Sequence, residues 1–267
     1  MTATIAPVTY RRLLDDLRRL GVPHGRHLLV HTAMSRMGYV VGGPGTLLHA
    51  LRDVVGPASV VVPTQTADNS TTSHYYREAT VAMDQRQREV YEATLPGFDP
   101  VHSPSYRMGA FAEHVRRHRA AVRSHHPQTS FTALGRHADD LMRVHDLTSH
   151  LGPHSPLKAL YDADAMVLLV GVGVERCTAL HLAEYGLERP PRTKTYTCFL
   201  RHDHGPVRYE FDAPDLDDGD FGLLGADLCR ERWAVTGTVG GAPAILLPIR
   251  RSVDFATAWM NRQRSVS

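Results

Sequence analysis

Apolar positions in this chain recur with two periods, near 3.6 and near 2, and the change from one to the other divides it into elements. Leu13, Leu14, Leu17 and Leu20 stand at helical spacing within Tyr10 to Leu20, and Gly21 follows where a left-handed cap is needed, so an amphipathic helix opens the chain. His27 to His31 reads as a short apolar strand. The turn-rich segment Ser35 to Gly45 separates it from a helix over Thr46 to Val55, and Ala58 to Val62 supplies the next strand. Such a β-loop-α-β unit pairs its strands in parallel.

Ala67 to Gly97 breaks this alternation. It is polar, carries Tyr75-Tyr76 and the charged run Asp84 to Glu89, and reads as a partly helical insertion at about 67–97, over one edge of the sheet. Gly109 to His118 and Leu134 to Val144 have helical patterns, and Leu157 to Tyr161 a short one. Ala165 to Val170 is apolar throughout, as expected of a central strand covered on both faces. Thr195 to Leu200 and Val207 to Phe211 alternate as a hairpin about His204-Gly205, and Val253 to Arg262 closes the chain as a helix.

Composition narrows the class. A chain of 267 residues can bury a core without disulfide or metal staples, so a single domain over 1–267 is the simplest organisation. No stretch approaches the length of a membrane span, and Met1 to Pro7 lacks the charged start and apolar run of a signal peptide; a cytoplasmic location is expected. Cys177, Cys198 and Cys229 are odd in number and lack C-x-x-C spacing, against a disulfide framework or a structural zinc. A formal charge of +2, with the arginines dispersed in pairs, gives no nucleic-acid footprint. Although the chain has 17 histidines, neither H-E-x-x-H nor any tight ligand cluster occurs, and no G-x-S-x-G elbow is present. No metal is expected.

The richest chemistry lies in Gly171 to Glu184, where the strand ending at Val170 meets glycines and a short helix carries His181 and Glu184 three residues apart. That spacing stacks an imidazole and a carboxylate on one helical face. A carboxylate beside histidine fixes its tautomer and raises its basicity, which makes a general base at the carboxyl end of a strand; packing or capping by His181 is the bland alternative.

His31-Thr-Ala-Met-Ser35, Gly42-Gly43, Val62-Pro-Thr64, Phe98-Asp-Pro100, Pro104-Ser105 with Met108-Gly109, Arg123-Ser-His-His-Pro127 with Ser130-Phe131, His154-Ser-Pro156 and His181-Leu-Ala-Glu184 follow one another in this order. In that ordered set the chain resembles the aminoglycoside 3-N-acetyltransferases, from Leu13 to Trp259. The resemblance implies an α/β fold with a central mixed sheet flanked by helices on both faces, distinct from the GNAT acetyltransferases. It implies acetyl-CoA as co-substrate, an aminoglycoside amine as acceptor, no membrane or nucleic-acid partner, and a monomer or homodimer.

Site residues carry over by position. His31, Thr32, Ala33, Met34 and Ser35, with Val41, Gly42 and Gly43, are implied to contact coenzyme A, and their small residues leave backbone N–H groups open to a pantetheine arm. Ser124 and Phe131 are implied to line its nucleotide or pantetheine channel. His181 is expected as base with Glu184 orienting it and His154 as a second proton handler. Backbone amides of Thr32 to Ser35, aided by Thr64, would hold the oxyanion. Asp212 and Asp215, in an acidic turn that also reads as merely solvated, and Asp68 and Glu78 in the insertion are the candidates for substrate ammonium groups. The insertion wording Asn69 to Tyr76 departs from many relatives, and a biosynthetic N-acetyltransferase acting on another amine is the alternative reading.

Overall fold

A computed structural model describes residues 6–264 of the chain. Its strands are β1 (Leu28–Thr32), β2 (Val60–Pro63), β3 (Val122–Arg123), β4 (Phe131–Leu134), β5 (Met166–Val170), β6 (Thr193–His202), β7 (Gly205–Pro214), β8 (Val235–Val239) and β9 (Ala242–Pro248). Strands β6 and β7 form a separate hairpin; the other seven make one sheet in the order β3-β4-β2-β1-β5-β9-β8. Strand β1 runs parallel to β2 and β5, whereas β4, β9 and β8 are added antiparallel. The sheet is therefore mixed, with the parallel strands at its centre.

The helices are α1 (Tyr10–Leu20), α2 (Gly43–Val55), α3 (His74–Thr80), α4 (Gln85–Ala93), α5 (Gly109–Arg116), α6 (Ala138–Met142), α7 (Pro156–Asp162), α8 (His181–Glu184), α9 (Phe221–Leu228) and α10 (Ile249–Gln263). Strand alternation sorts the core into two layers. Leu28 and Val30 of β1, with Leu168 and Val170 of β5, pack against α1, α2 and α5. Leu29, Val167 and Leu169 face the other way, against α6, α7, α9 and α10. Every residue of β5 is buried, and each such Val or Leu contributes roughly 1.5–3 kcal/mol.

Thr9 caps α1 by accepting the Arg12 N–H at 3.3 Å, and Gly21, at φ 86°, ends it as the leucine spacing predicts. Elsewhere the structure departs from the sequence pattern. The helix expected over Leu134 to Val144 is confined to α6, because Leu134 is the last residue of β4 and pairs with Val60. An apolar run that short does not separate strand from helix by period alone. Strands β8 and β9 and helix α9 are additions; Pro243 and Pro248 disguise β9, yet it pairs along its whole length with β5 or β8. The 67–97 segment is partly helical, through α3 and α4, and is tied to the hairpin: Asn69 bonds both backbone groups of Phe199, and Phe98 bridges to Leu200.

Candidate active site

The parallel strands β1 and β5 end on the same side of the sheet, and β1 continues to β2 on its other flank, so the chain switches direction there. Crevices at such a switch point are where α/β sheets bind ligands. A cavity of about 640 Å³ opens at this edge, lined by His31, Thr32 and Ala33 after β1, Pro63 and Gln65 after β2, and Val172 after β5. Gly171 makes the exit from β5 possible: at φ 69° its backbone passes so close that a Cβ would stand 3.2 Å from the Ala33 carbonyl. The chain then winds through two short 3-10 turns, Val174–Arg176 and Thr178–Leu180, into α8, which places His181 on the cavity wall.

His181 is held from behind. Its Nδ1 lies 2.7 Å from Glu184 Oε2, and its ring packs on Phe221 with centroids 4.8 Å apart. The Glu184 side chain is fully buried, and its other oxygen, Oε1, accepts the Asp217 N–H at 2.9 Å and Arg264 Nη1 at 2.8 Å. As an acceptor, Glu184 Oε2 is matched by the tautomer that carries its proton on Nδ1, and that tautomer leaves the Nε2 lone pair free to take a proton. Arg264 in turn grips Asp220 through two further N–H groups, and these bonds, to Asp220 first and then Glu184, raise its pKa above the usual arginine value.

His31 faces the same cavity from β1 and is 8% exposed. Burial lowers its pKa to about 4, so it is neutral at physiological pH, and its Nε2 is buried without a hydrogen-bond partner. Thr32 and Ala33 complete this wall. The Ala33 N–H is not available to an oxyanion, because it donates to the Val170 carbonyl at 2.9 Å. Met34 and Ser35 sit in the 3-10 turn Met34–Arg36, and exposed Val41 and Gly42 with half-buried Gly43 form the turn into α2; these five lie beyond the cavity wall.

Several expected positions are engaged elsewhere in this structure. Ser124 and Phe131 are fully buried: Ser124 Oγ receives the Phe131 N–H at 2.9 Å and meets His145 Nδ1 at 2.9 Å. Thr64 is likewise spent inside the sheet, on Thr132 Oγ1 at 2.9 Å and the Ser130 carbonyl. His154 points to solvent and pairs with Asp146 at 2.8 Å, away from the cavity. Asp212 accepts from Thr195 on the hairpin at 2.6 Å, and Asp215 pairs with Lys194 at 3.1 Å. Glu78 pairs with His74 on the outer face of α3, and Asp68 is exposed outside the cavity.

The carboxylates that do reach the cavity are Glu175 and Asp218, with Arg107 and Arg176 as its cations. Arg107 stacks over Tyr75 at 4.9 Å, so the insertion contributes a wall, and its backbone sits at φ 55°, a region that costs a non-glycine residue about 1–3 kcal/mol. Thr178, Cys177 and Phe221 are further wall residues that spacing arguments overlooked, although Cys177 and Thr178 adjoin His181 in sequence. Among the described residues no group of three or more His, Cys, Asp or Glu is arranged to hold a metal ion. No helix among them is long and apolar enough to cross a membrane.

Comparison with known proteins gives the family. Aminoglycoside N(3)-acetyltransferase VII of Streptomyces paromomycinus is 35% identical over 272 aligned positions, covering 96% of this chain and 93% of that protein. The crystal structure of YokD from Bacillus subtilis superposes with a TM-score of 0.91 at 28% identity, covering 98% of this chain and 96% of that one. A structure described as AAC-IIIb binary with CoASH gives a TM-score of 0.84 at 27% identity over 97% and 98% of the two chains. The family model for aminoglycoside 3-N-acetyltransferase matches residues 29–261, and with these relatives it shows that the chain belongs to the aminoglycoside 3-N-acetyltransferase family.

Proposed function

We propose that this enzyme transfers the acetyl group of acetyl-CoA to the 3-amino group of a 2-deoxystreptamine aminoglycoside, with His181 as general base. The observation that carries the reading is the His181–Glu184 pair on the wall of a switch-point cavity in a chain of this family. Nε2 takes a proton from the substrate ammonium, and the freed amine attacks the thioester carbonyl. The tetrahedral intermediate loses its second nitrogen proton to water and collapses to amide, the C–S bond breaks, and the imidazolium returns the first proton to the departing thiolate. No covalent enzyme intermediate is needed.

The co-substrate enters past the β1 end. His31 supports this placement, since an unpartnered buried nitrogen costs roughly 1–3 kcal/mol until a polar atom reaches it, and pantetheine is a chain of amides. Met34, Ser35, Val41, Gly42 and Gly43 form the approach. Glu175 and Asp218 replace Asp212, Asp215, Asp68 and Glu78 as the ammonium-binding carboxylates, because they share the cavity with His181. Acetyl-CoA turnover against a panel of aminoglycosides, with the acetylated nitrogen located by NMR, tests the assignment. Turnover confined to amines outside this class would favour the biosynthetic alternative.

A further inference from the structure

Arg264 caps α10, 80 residues along the chain from Glu184, and tertiary folding alone brings it to the catalytic pair. Its Nη1 donates to Glu184 Oε1, the oxygen not used by His181. The rest of the guanidinium is fixed on the segment leading into α9: Nε donates to Asp220 Oδ2 at 2.8 Å, and Nη2 to Asp220 Oδ1 and the Asp217 carbonyl, both at 2.7 Å. The cation is thus locked in place by one face and spends the other on a carboxylate that water does not reach.

A buried carboxylate left alone beside an imidazole would hold it as imidazolium, and an imidazolium cannot accept a proton from an ammonium. The titratable groups around His181 are Glu184 on its own helix, Glu175, Arg176 and the buried thiol of Cys177 in the turn before it, and Asp217, Asp218 and Asp220 ahead of α9. Arg107 stands before α5, His31 on β1, and His150 lies below, close enough to feel the His181 charge. Of these groups none but Glu184 bonds the ring, and Arg264 is the cation bonded to Glu184.

We propose that Arg264 is a positioning residue that acts through Glu184: it balances the buried carboxylate, so that Glu184 orients His181 without trapping it in the protonated form. This rests on the reading of His181 as the base. Arg264 is not among the residues that line the His181 cavity, and its effect is on where His181 titrates.

The fold provides a direct test. Arg264 also lines a second cavity of about 430 Å³, shared with Arg192, Leu216 and Asp217, so a small solute can reach the space its side chain would vacate. In Arg264→Ala, NMR titration of the His181 ring should show proton affinity raised about tenfold, and the acid limb of kcat/KM should move to higher pH by the same factor, with the alkaline plateau retained. Guanidinium at non-denaturing concentration should return both to wild-type values, whereas urea, of the same shape without charge, should not. Arg264→Lys should stay near wild type in the titration, and Arg264→Gln, which removes the charge but keeps a hydrogen-bonding side chain, should move it as alanine does and covers the case in which alanine unfolds the end of α10. An unmoved His181 titration in a folded variant that lacks the charge, Arg264→Ala or Arg264→Gln, overturns the inference, as does an equal loss of rate at every pH that guanidinium leaves unrepaired. A moved titration with an unmoved rate profile upholds the coupling and removes His181 as the base instead.

Discussion

Nδ1 of His181 stands 2.7 Å from Oε2 of Glu184, and the carboxylate it meets has no exposed side-chain surface. That pairing decides both the tautomer and the direction of the ring. A histidine that merely capped α8 would need no buried anion behind it, and removing one partner of such a pair costs about 3–5 kcal/mol.

His181→Ala should therefore lower kcat by about a hundredfold or more while the acetyl-CoA Kd stays near wild type, since general-base catalysis contributes a factor of roughly 10² to 10⁴. Steady-state rates beside calorimetric binding make the comparison. A kcat close to wild type at neutral pH would take His181 out of the proton transfer.

Glu184→Gln keeps the shape and removes the charge. With Arg264 still at Oε1, the imidazolium loses its supporting anion, so the acid limb of kcat/KM should move to lower pH. This is opposite in sign to the change expected for Arg264→Ala. Limbs that move together in the two variants, or not at all, would contradict the electrostatic coupling.

Substrate charge recognition can be mapped by neutralisation. Asp218→Asn and Glu175→Gln should raise the aminoglycoside KM by about threefold to tenfold and weaken its salt dependence, with little effect on the acetyl-CoA KM, because charge-assisted hydrogen bonds exceed neutral ones and are screened by salt. Asp212→Asn and Asp215→Asn should leave it unchanged, since both carboxylates are engaged on the hairpin or its rim. The reverse ranking would return recognition to the acidic turn.

Acid should unfold this protein through its buried histidines. His126, His145 and His150 pack together under the hairpin, with ring centroids of His126 4.7 Å from His145 and 4.6 Å from His150. Burial lowers all three, His126 well below its ordinary value, His145 to about 4 and His150 to about 3. The unfolded chain binds their protons first, near pH 6.5, so stability is full above that pH and declines as pH falls toward 4 and 3. Thermal melts at pH 7 and pH 5 should show a lower Tm at pH 5. His150→Phe, which fits among Tyr196 and Phe211 and removes an unpartnered Nε2, should flatten that dependence; an unchanged slope would acquit His150.

The elements legible from pattern were those whose burial is one-sided or complete over a sufficient length. Leucines at helical spacing marked α1, the apolar run Ala165 to Val170 marked the central strand, and alternation marked the β6–β7 hairpin, each because local periodicity and final burial coincide. The His181–Glu184 pair was legible for the same reason, since three residues along a helix is a local distance. Strands β4 and β9 were not, because their pairing partners are distant in sequence and proline or a short apolar run hid their period.

Placement of the remaining charges belonged to the tertiary structure. Asp212, Asp215 and Asp218 lie within seven residues of one another, and composition treats them alike. Only the course of the chain after β7 sends Asp218 to the cavity and leaves the other two on the hairpin and its rim. Ser124 and Thr64 carry hydroxyls suited to a ligand, yet long-range pairing spends them inside the sheet. Arg264 reads in sequence as one more terminal arginine. Its bond to Glu184 exists because α10 packs beside α8 and α9, through the burial of Val253, Ala256 and Met260. The sequence by itself determined the elements with a clear local period, the His181–Glu184 spacing and the family; folding decided which charges meet, because charge compensation acts through space between residues that periodicity does not relate.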